Sequence, residues 1–159
     1  DFTYSPGAWA TTGWQVHTGD FNGDGLGDVF LHNPMNGNWF VCRNTGFGFA
    51  YEPGQWSPGW TLAVTDFDGD GRSDVFVYNV VTGAWYQCVS NGQGFDYYLG
   101  QWSPGWELHV SDFNADGHSD FLVNNPATGL SYTCLNAGLG RFDYFADTLG
   151  TGWTILANR

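Results

Sequence analysis

The segment Trp60-Thr61-Leu62-Ala63-Val64-Thr65 alternates apolar with small or polar side chains, the period of a half-buried β-strand. After an acidic loop, Asp74-Val75-Phe76-Val77-Tyr78-Asn79 is a β-branched and aromatic run that favours a second strand. Val81-Thr82-Gly83 reads as a turn, Ala84–Val89 as a third strand, Asn91-Gly92-Gln93-Gly94 as another turn and Phe95–Leu99 as a fourth strand. Gln101-Trp102-Ser103-Pro104-Gly105-Trp106 leads onward, its Pro-Gly pair fitting a type II turn. No segment has a helical period of useful length.

The same order recurs along the chain. Gln55-Trp56-Ser57-Pro58-Gly59-Trp60 is the same connector one unit earlier, and Asn36-Gly37, Thr82-Gly83 and Thr128-Gly129 mark the same turn in three units. A unit of about 46 residues with four antiparallel strands has the size of one propeller blade. The pattern predicts an all-β chain, a single repeat domain over 1–159 with units at 14–59, 60–105 and 106–152. A partial fourth strand is expected over 1–13 and a partial first strand over 153–159, where Arg159 stands in place of the Asp that would open another loop.

The acidic loop between the first two strands of each unit carries the candidate chemistry. Its copies are Asp20-Phe21-Asn22-Gly23-Asp24-Gly25-Leu26-Gly27-Asp28, Asp66-Phe67-Asp68-Gly69-Asp70-Gly71-Arg72-Ser73-Asp74 and Asp112-Phe113-Asn114-Ala115-Asp116-Gly117-His118-Ser119-Asp120. Each reads D-x-[DN]-x-D-G-x-x-D. Oxygen side chains at positions 1, 3, 5 and 9 suit calcium, which takes six to eight oxygens at about 2.3–2.6 Å in flexible geometry. The position-6 glycine permits the positive φ that bends the chain around an ion. Leu26, Arg72 and His118 at position 7 differ in chemistry, so only their backbone carbonyls are read as ligands. Magnesium demands a stricter octahedron, and zinc prefers His or Cys ligands. The loop departs from an EF-hand by closing at position 9 between strands. The plainer alternative is a set of Asp/Asn/Gly turns that bind nothing, in which the carboxylates would repel one another.

With four Lys plus Arg and a formal net charge of −12 in 159 residues, the chain has no basic patch for nucleic acid. About three calcium ions per chain would offset half of that charge. No apolar run approaches the ~20 residues of a membrane span. Cys42, Cys88 and Cys134 fall at one repeat position, as buried apolar residues would, and do not form a disulfide pattern. Calcium loops favour an extracellular or cell-surface setting, where the ion is plentiful.

The run from Gly19-Asp20-Phe21-Asn22-Gly23-Asp24-Gly25 to Val29-Phe30-Leu31, with its two later copies, resembles the FG-GAP/VCBS repeats of integrin α-subunit propellers and fungal propeller lectins. Gly46-Phe47-Gly48-Phe49 followed by Pro53-Gly54 is similar to the Phe-Gly and Gly-x-Pro elements of that family. The resemblance implies β-propeller blades with calcium held in the hairpin between the first two strands. Ala115, where the other copies have glycine, departs from the pattern outside the ligand set. Propellers close with about four to eight blades. A ring built on this chain is therefore expected to be completed by oligomerisation or by further sequence. A closed dimer or an end-to-end filament would cover the open blade faces.

No catalytic constellation is apparent, and no enzyme activity is expected. His17 and His109 occupy one repeat position and read as strand or surface histidines. Trp14, Trp60, Trp106 and Trp153 begin each unit and read as packing residues. Trp39 and Trp85, replaced by Ser131 in the third unit, and Trp56 and Trp102 with their counterpart Trp9, are candidate glycan-stacking residues. Inter-blade packing is the competing role for Trp39 and Trp85. Two functions follow: a calcium-stabilised lectin or adhesin module, or a structural repeat whose partner is another copy of itself.

Overall fold

The structure is a computed structural model and describes residues 12–151. The expected partial strands at the two ends lie mostly outside this range, as do Trp9 and Trp153. Among the described residues there is no helix. The described residues form twelve strands in three separate antiparallel sheets of simple meander order. The first contains β1 (Gln15–Gly19), β2 (Asp28–His32), β3 (Asn38–Asn44) and β4 (Phe49–Gln55). The second contains β5 (Trp60–Thr65), β6 (Asp74–Asn79), β7 (Ala84–Ser90) and β8 (Phe95–Gln101). The third contains β9 (Glu107–Ser111), β10 (Asp120–Asn124), β11 (Leu130–Asn136) and β12 (Phe142–Thr148). The sheets are the blades of an all-β propeller architecture, and β1 lies beside β5.

Side-chain alternation sends each blade's residues to two faces. Phe30 of β2 and Trp39 and Val41 of β3 turn toward the second blade, whose Val75, Val77 and Cys88 meet them in one apolar core. One strand position along, Phe76, Tyr78 and Trp85 turn toward the third blade and meet Phe121, Val123, Cys134 and Phe142 in another. The second strand of this blade, buried from Asp74 to Tyr78, thus needs apolar side chains on both faces, which explains its unbroken Val/Phe/Tyr run.

Two local devices fix the blades. At the turn between second and third strands, Gly37 has φ 76°, and an added Cβ would lie 1.9 Å from the Trp56 carbonyl oxygen. Only glycine satisfies both conditions. The Trp56 N–H then donates to the Gly37 carbonyl at 2.9 Å, fastening the connector to the blade it leaves. The connector turns at Gly59 (φ 91°) and Gly105 (φ 89°), the conformation of the third residue of a type II turn.

The structure corrects the reading of Trp39 and Trp85 as exposed sugar platforms. They are 8% and 3% exposed. Each indole stacks on its own blade's phenylalanine, Trp39 on Phe30 at 5.7 Å and Trp85 on Phe76 at 5.6 Å. Each also lies over a cross-strand glycine, Trp39 opposite Gly54 and Trp85 opposite Gly100. A Cβ on either glycine would come within 2.0 Å of the indole. In the third blade Ser131 pairs with Asp147, so the large residue and the glycine disappear together. Gly100→Ala should therefore overpack the core and cost about 1–3 kcal/mol. Chemical denaturation measures it, and an unchanged midpoint would show that the indole moves aside freely.

Candidate calcium loops and inter-blade pockets

The three acidic loops occupy the hairpins β1–β2, β5–β6 and β9–β10. Their shape is set by carboxylates holding backbone N–H groups. Asp20 accepts from Gly23 at 2.7 Å through Oδ1 and from Gly25 at 2.8 Å through Oδ2. Asp66 does the same with Gly69 and Gly71, and Asp112 with Ala115 and Gly117. Position 5 accepts from the N–H of position 7 in every copy, at 2.7–2.8 Å (Asp24 from Leu26, Asp70 from Arg72, Asp116 from His118).

Position 9 does something spacing alone does not reveal. Asp28, Asp74 and Asp120 are all 0% exposed. In each, Oδ2 accepts from the position-2 Phe N–H and Oδ1 from the backbone N–H at the end of the third strand (Asn44, Ser90 or Asn136), at 2.7–3.0 Å. The carboxylate therefore pins the loop to its own blade.

In the second loop, Asp66, Asp68 and Asp74 bring carboxylate oxygens within 4.8 Å of one another. Burial pushes the Asp74 carboxyl up to about 7, against the pull of its two backbone donors, with Asp68 and Asp66 adding to the rise. Asp68 is also raised, by desolvation and then by Asp70. Three converging carboxylates, with the charge of Asp68 and Asp74 disfavoured, fit an oxygen-seeking cation, which would favour the ionised form of those two. Asp70 pairs with the Arg72 guanidinium. In the first and third loops the position-3 amides of Asn22 and Asn114 donate to Asp24 and Asp116 at 2.9 and 2.8 Å. The backbones of Leu26, Arg72 and His118 lie within the loops. The side chains of Arg72 and His118 reach the preceding loop, close to Gly23 and Gly69.

Neighbouring loops also touch. The Asp20 N–H donates to Ser73 Oγ at 3.0 Å, and the Ser73 N–H returns a bond to the Asp20 carbonyl at 2.6 Å. Ser119 Oγ lies 2.5 Å from Thr65 Oγ1.

A second repeated feature lies at each joint between described blades. A cavity of about 260 Å³ opens between the connector residues Trp56 and Ser57 and second-blade Trp60, Tyr86 and Tyr97. A cavity of about 190 Å³ sits at the equivalent place, bounded by Trp102, Ser103, Trp106, Tyr132 and Tyr144. Trp102 donates its indole N–H to the Tyr144 hydroxyl at 2.9 Å, and Trp56 and Tyr97 face the other cavity together. Trp60 and Trp106 donate to Ser57 and Ser103 Oγ at 3.1 and 3.0 Å and stand edge-on to Tyr86 and Tyr132. Cys88 and Cys134 line the floors. Burial pushes the Cys134 thiol up to about 12 and the Cys88 thiol also upward, so neither offers a thiolate.

Trp56 and Trp102 thus line pockets, whereas Trp39 and Trp85 lie beneath them in the core. The tyrosines and serines were not among the sequence candidates. Tyr86 and Tyr132 recur at repeat spacing, but the turn between β11 and β12 spans 137–141 where the second blade uses 91–94, and this offsets Tyr144 from Tyr97.

Residues 20–77 match the family model of the FG-GAP-like repeat. That stretch carries an FG-GAP-type propeller repeat. No curated protein matches it in sequence. Among solved structures it is similar to a lectin from Agrocybe aegerita, reported for specific recognition of non-reducing terminal N-acetylglucosamine, with a TM-score of 0.65 and 19% identity. The alignment covers 86% of this chain and 38% of that lectin. At this identity the likeness establishes the propeller fold.

Within the three acidic loops, position 4 takes a left-handed backbone in every copy: Gly23 and Gly69 at φ 76° and Ala115 at 62°. Ala115 is the only non-glycine among the described residues with positive φ. A left-handed alanine costs about 1–2 kcal/mol, partly offset by the lower unfolded-state entropy of alanine relative to glycine. Ala115→Gly should raise stability by about 0.5–1 kcal/mol in equilibrium denaturation. A loss of stability would show that the loop needs the methyl group.

Proposed function

We propose that this chain is a calcium-stabilised carbohydrate-binding propeller module that acts outside the cell and catalyses no reaction. The observation that carries the reading is the repeated inter-blade pocket. Each copy combines tryptophan and tyrosine faces with an indole N–H, a serine hydroxyl and a tyrosine hydroxyl. Aromatic faces stack on the C–H side of a sugar ring while polar edges bond its hydroxyls. The volumes lie below the ~300–1,000 Å³ of drug-sized pockets, which favours one sugar unit per pocket. The lectin fold of the similar structure supports the same class of ligand. Two pockets on one chain would add by avidity.

Calcium enters the proposal through the loops. Asp20, Asn22, Asp24 and Asp28, with their counterparts in the other loops, would hold it together with the position-7 carbonyls. The bound ion would supply charge compensation. An extracellular or cell-surface site follows from the abundance of calcium there. No helix among the described residues is long and apolar enough to cross a membrane.

Self-association is a second reading, favoured by two sheet faces that no other described blade covers. Val16 on the first blade (56% exposed) and Phe145 on the third (57% exposed) lie on those faces. Light scattering at micromolar concentration should show a dimer or larger assembly, and a monomer would reject this part of the proposal.

Tyr97 and Tyr144 are about half exposed, so their removal spares the core. Tyr97→Ala and Tyr144→Ala should each weaken binding to immobilised glycans by about 1 kcal/mol, and the double variant should lose it. Unchanged binding by a folded double variant would sink the pocket assignment.

Chelation tests the loops separately. Each site contributes about 2.7 kcal/mol when calcium is at a hundred times Kd. Excess chelator should lower the melting temperature by many degrees, and added calcium should restore it. An unmoved melting curve, with no calcium detected by elemental analysis, rules against the metal reading.

A further inference from the structure

His32 in β2 is 0% exposed, and neither ring nitrogen has a hydrogen-bond partner among the described residues. A buried polar group left in this state is costly, and native structures pair nearly all of them. Nearby, Nε2 of the half-buried His17 in β1 is also buried and has no partner among the described residues. The register places His17 opposite Phe30, and alternation puts Phe30 and His32 on one face. The two imidazoles are therefore diagonal neighbours facing the second blade, a separation that ring-sized side chains span.

The repeat supplies the comparison. In the third blade the same two positions hold His109 and Asn124, and His109 Nε2 lies 2.8 Å from Asn124 Oδ1. In the second blade they hold Ala63 and Tyr78, and the Tyr78 hydroxyl donates to the Ser103 carbonyl at 2.9 Å and accepts from the Trp106 N–H at 3.3 Å. Side chains at these positions thus reach a partner in both other blades. Among the described blades only the first places two imidazoles there, and it leaves both His32 nitrogens and His17 Nε2 without a described partner.

We propose that His17 and His32 form a two-imidazole site for a first-row transition metal ion of the Zn2+ or Cu2+ class. It would be chemically distinct from the oxygen loops, which suit a harder ion. Imidazole nitrogens bind such ions in the neutral form. Burial, and then His17, hold His32 down to about 4, and burial lowers His17 as well, so both are neutral donors at physiological pH. Water on the solvent side of His17 would complete the coordination. The Trp56 ring lies 5.9 Å from His32, which gives the site an optical reporter.

The test uses the full chain in millimolar calcium, so that the oxygen loops are filled. Zn2+ is titrated by calorimetry, and Cu2+ is titrated while tryptophan emission is followed. One Zn2+ per chain is expected, with Cu2+ quenching the emission and Zn2+ raising the melting temperature. His17→Ala should lower affinity by about tenfold or more and remove the thermal shift. His32→Tyr, which installs the second blade's residue, should do the same while keeping the core filled. His109→Ala should change neither. Absence of Zn2+ uptake by the unmodified chain, or uptake that His17→Ala leaves intact, overturns the proposal and leaves two imidazoles bonded to each other or to water.

Discussion

A four-stranded sheet of this size has two broad faces and can cover neither by itself. Every other feature of the chain answers to that limit. The second strand of the middle blade is apolar on both sides because a blade stands on each. Phe76 and Phe121 approach to 4.4 Å across the joint, and Trp85, Trp102 and Phe142 close around them. Each fully buried aromatic contributes about 1.5–3 kcal/mol through removal from water, and that contribution exists only when the neighbouring blade is present. Stability of such an array is a sum of blade and joint terms.

The loops share in the joints. Ser90 Oγ donates to the Phe21 carbonyl at 2.5 Å, and Asn136 Nδ2 to the Phe67 carbonyl at 2.7 Å, each reaching from the third strand of one blade into the loop of the blade before. Ser90 and Asn136 are also the residues whose backbone N–H groups hold Asp74 and Asp120. One short segment thus anchors its own loop through a buried carboxylate and the preceding loop through a side chain. Geometry in one candidate metal loop is mechanically linked to the next, although the loops are far apart in sequence.

Much of this could be read from the sequence because repetition supplies an internal control. The strands of the middle unit follow from alternation and β-branched runs, and the loops follow from oxygen side chains at constant spacing. What escaped the reading depends on partners distant in the chain. An indole at Trp39 or Trp85 has the same chemistry on a surface as in a core. The deciding signal was the glycine at Gly54 and Gly100 on the facing strand, lost together with tryptophan in the third unit. The extra residue in the last turn concealed Tyr144 as the match to Tyr97. Ala115 concealed the left-handed requirement at loop position 4. The bond between Asp20 and Ser73 spans 53 positions and leaves no local trace.

The inter-blade cavities have their walls on two different repeats, with the tryptophan-serine connector from one and the tyrosines from the next. A solitary repeat would possess both halves and no cavity. Duplication of such a unit creates a binding surface at the instant it creates a neighbour, without any new residue. The number of cavities then grows with the number of joints, and each can diverge from either side. Ancestry by tandem copying thus delivers multivalency as a geometric by-product of folding.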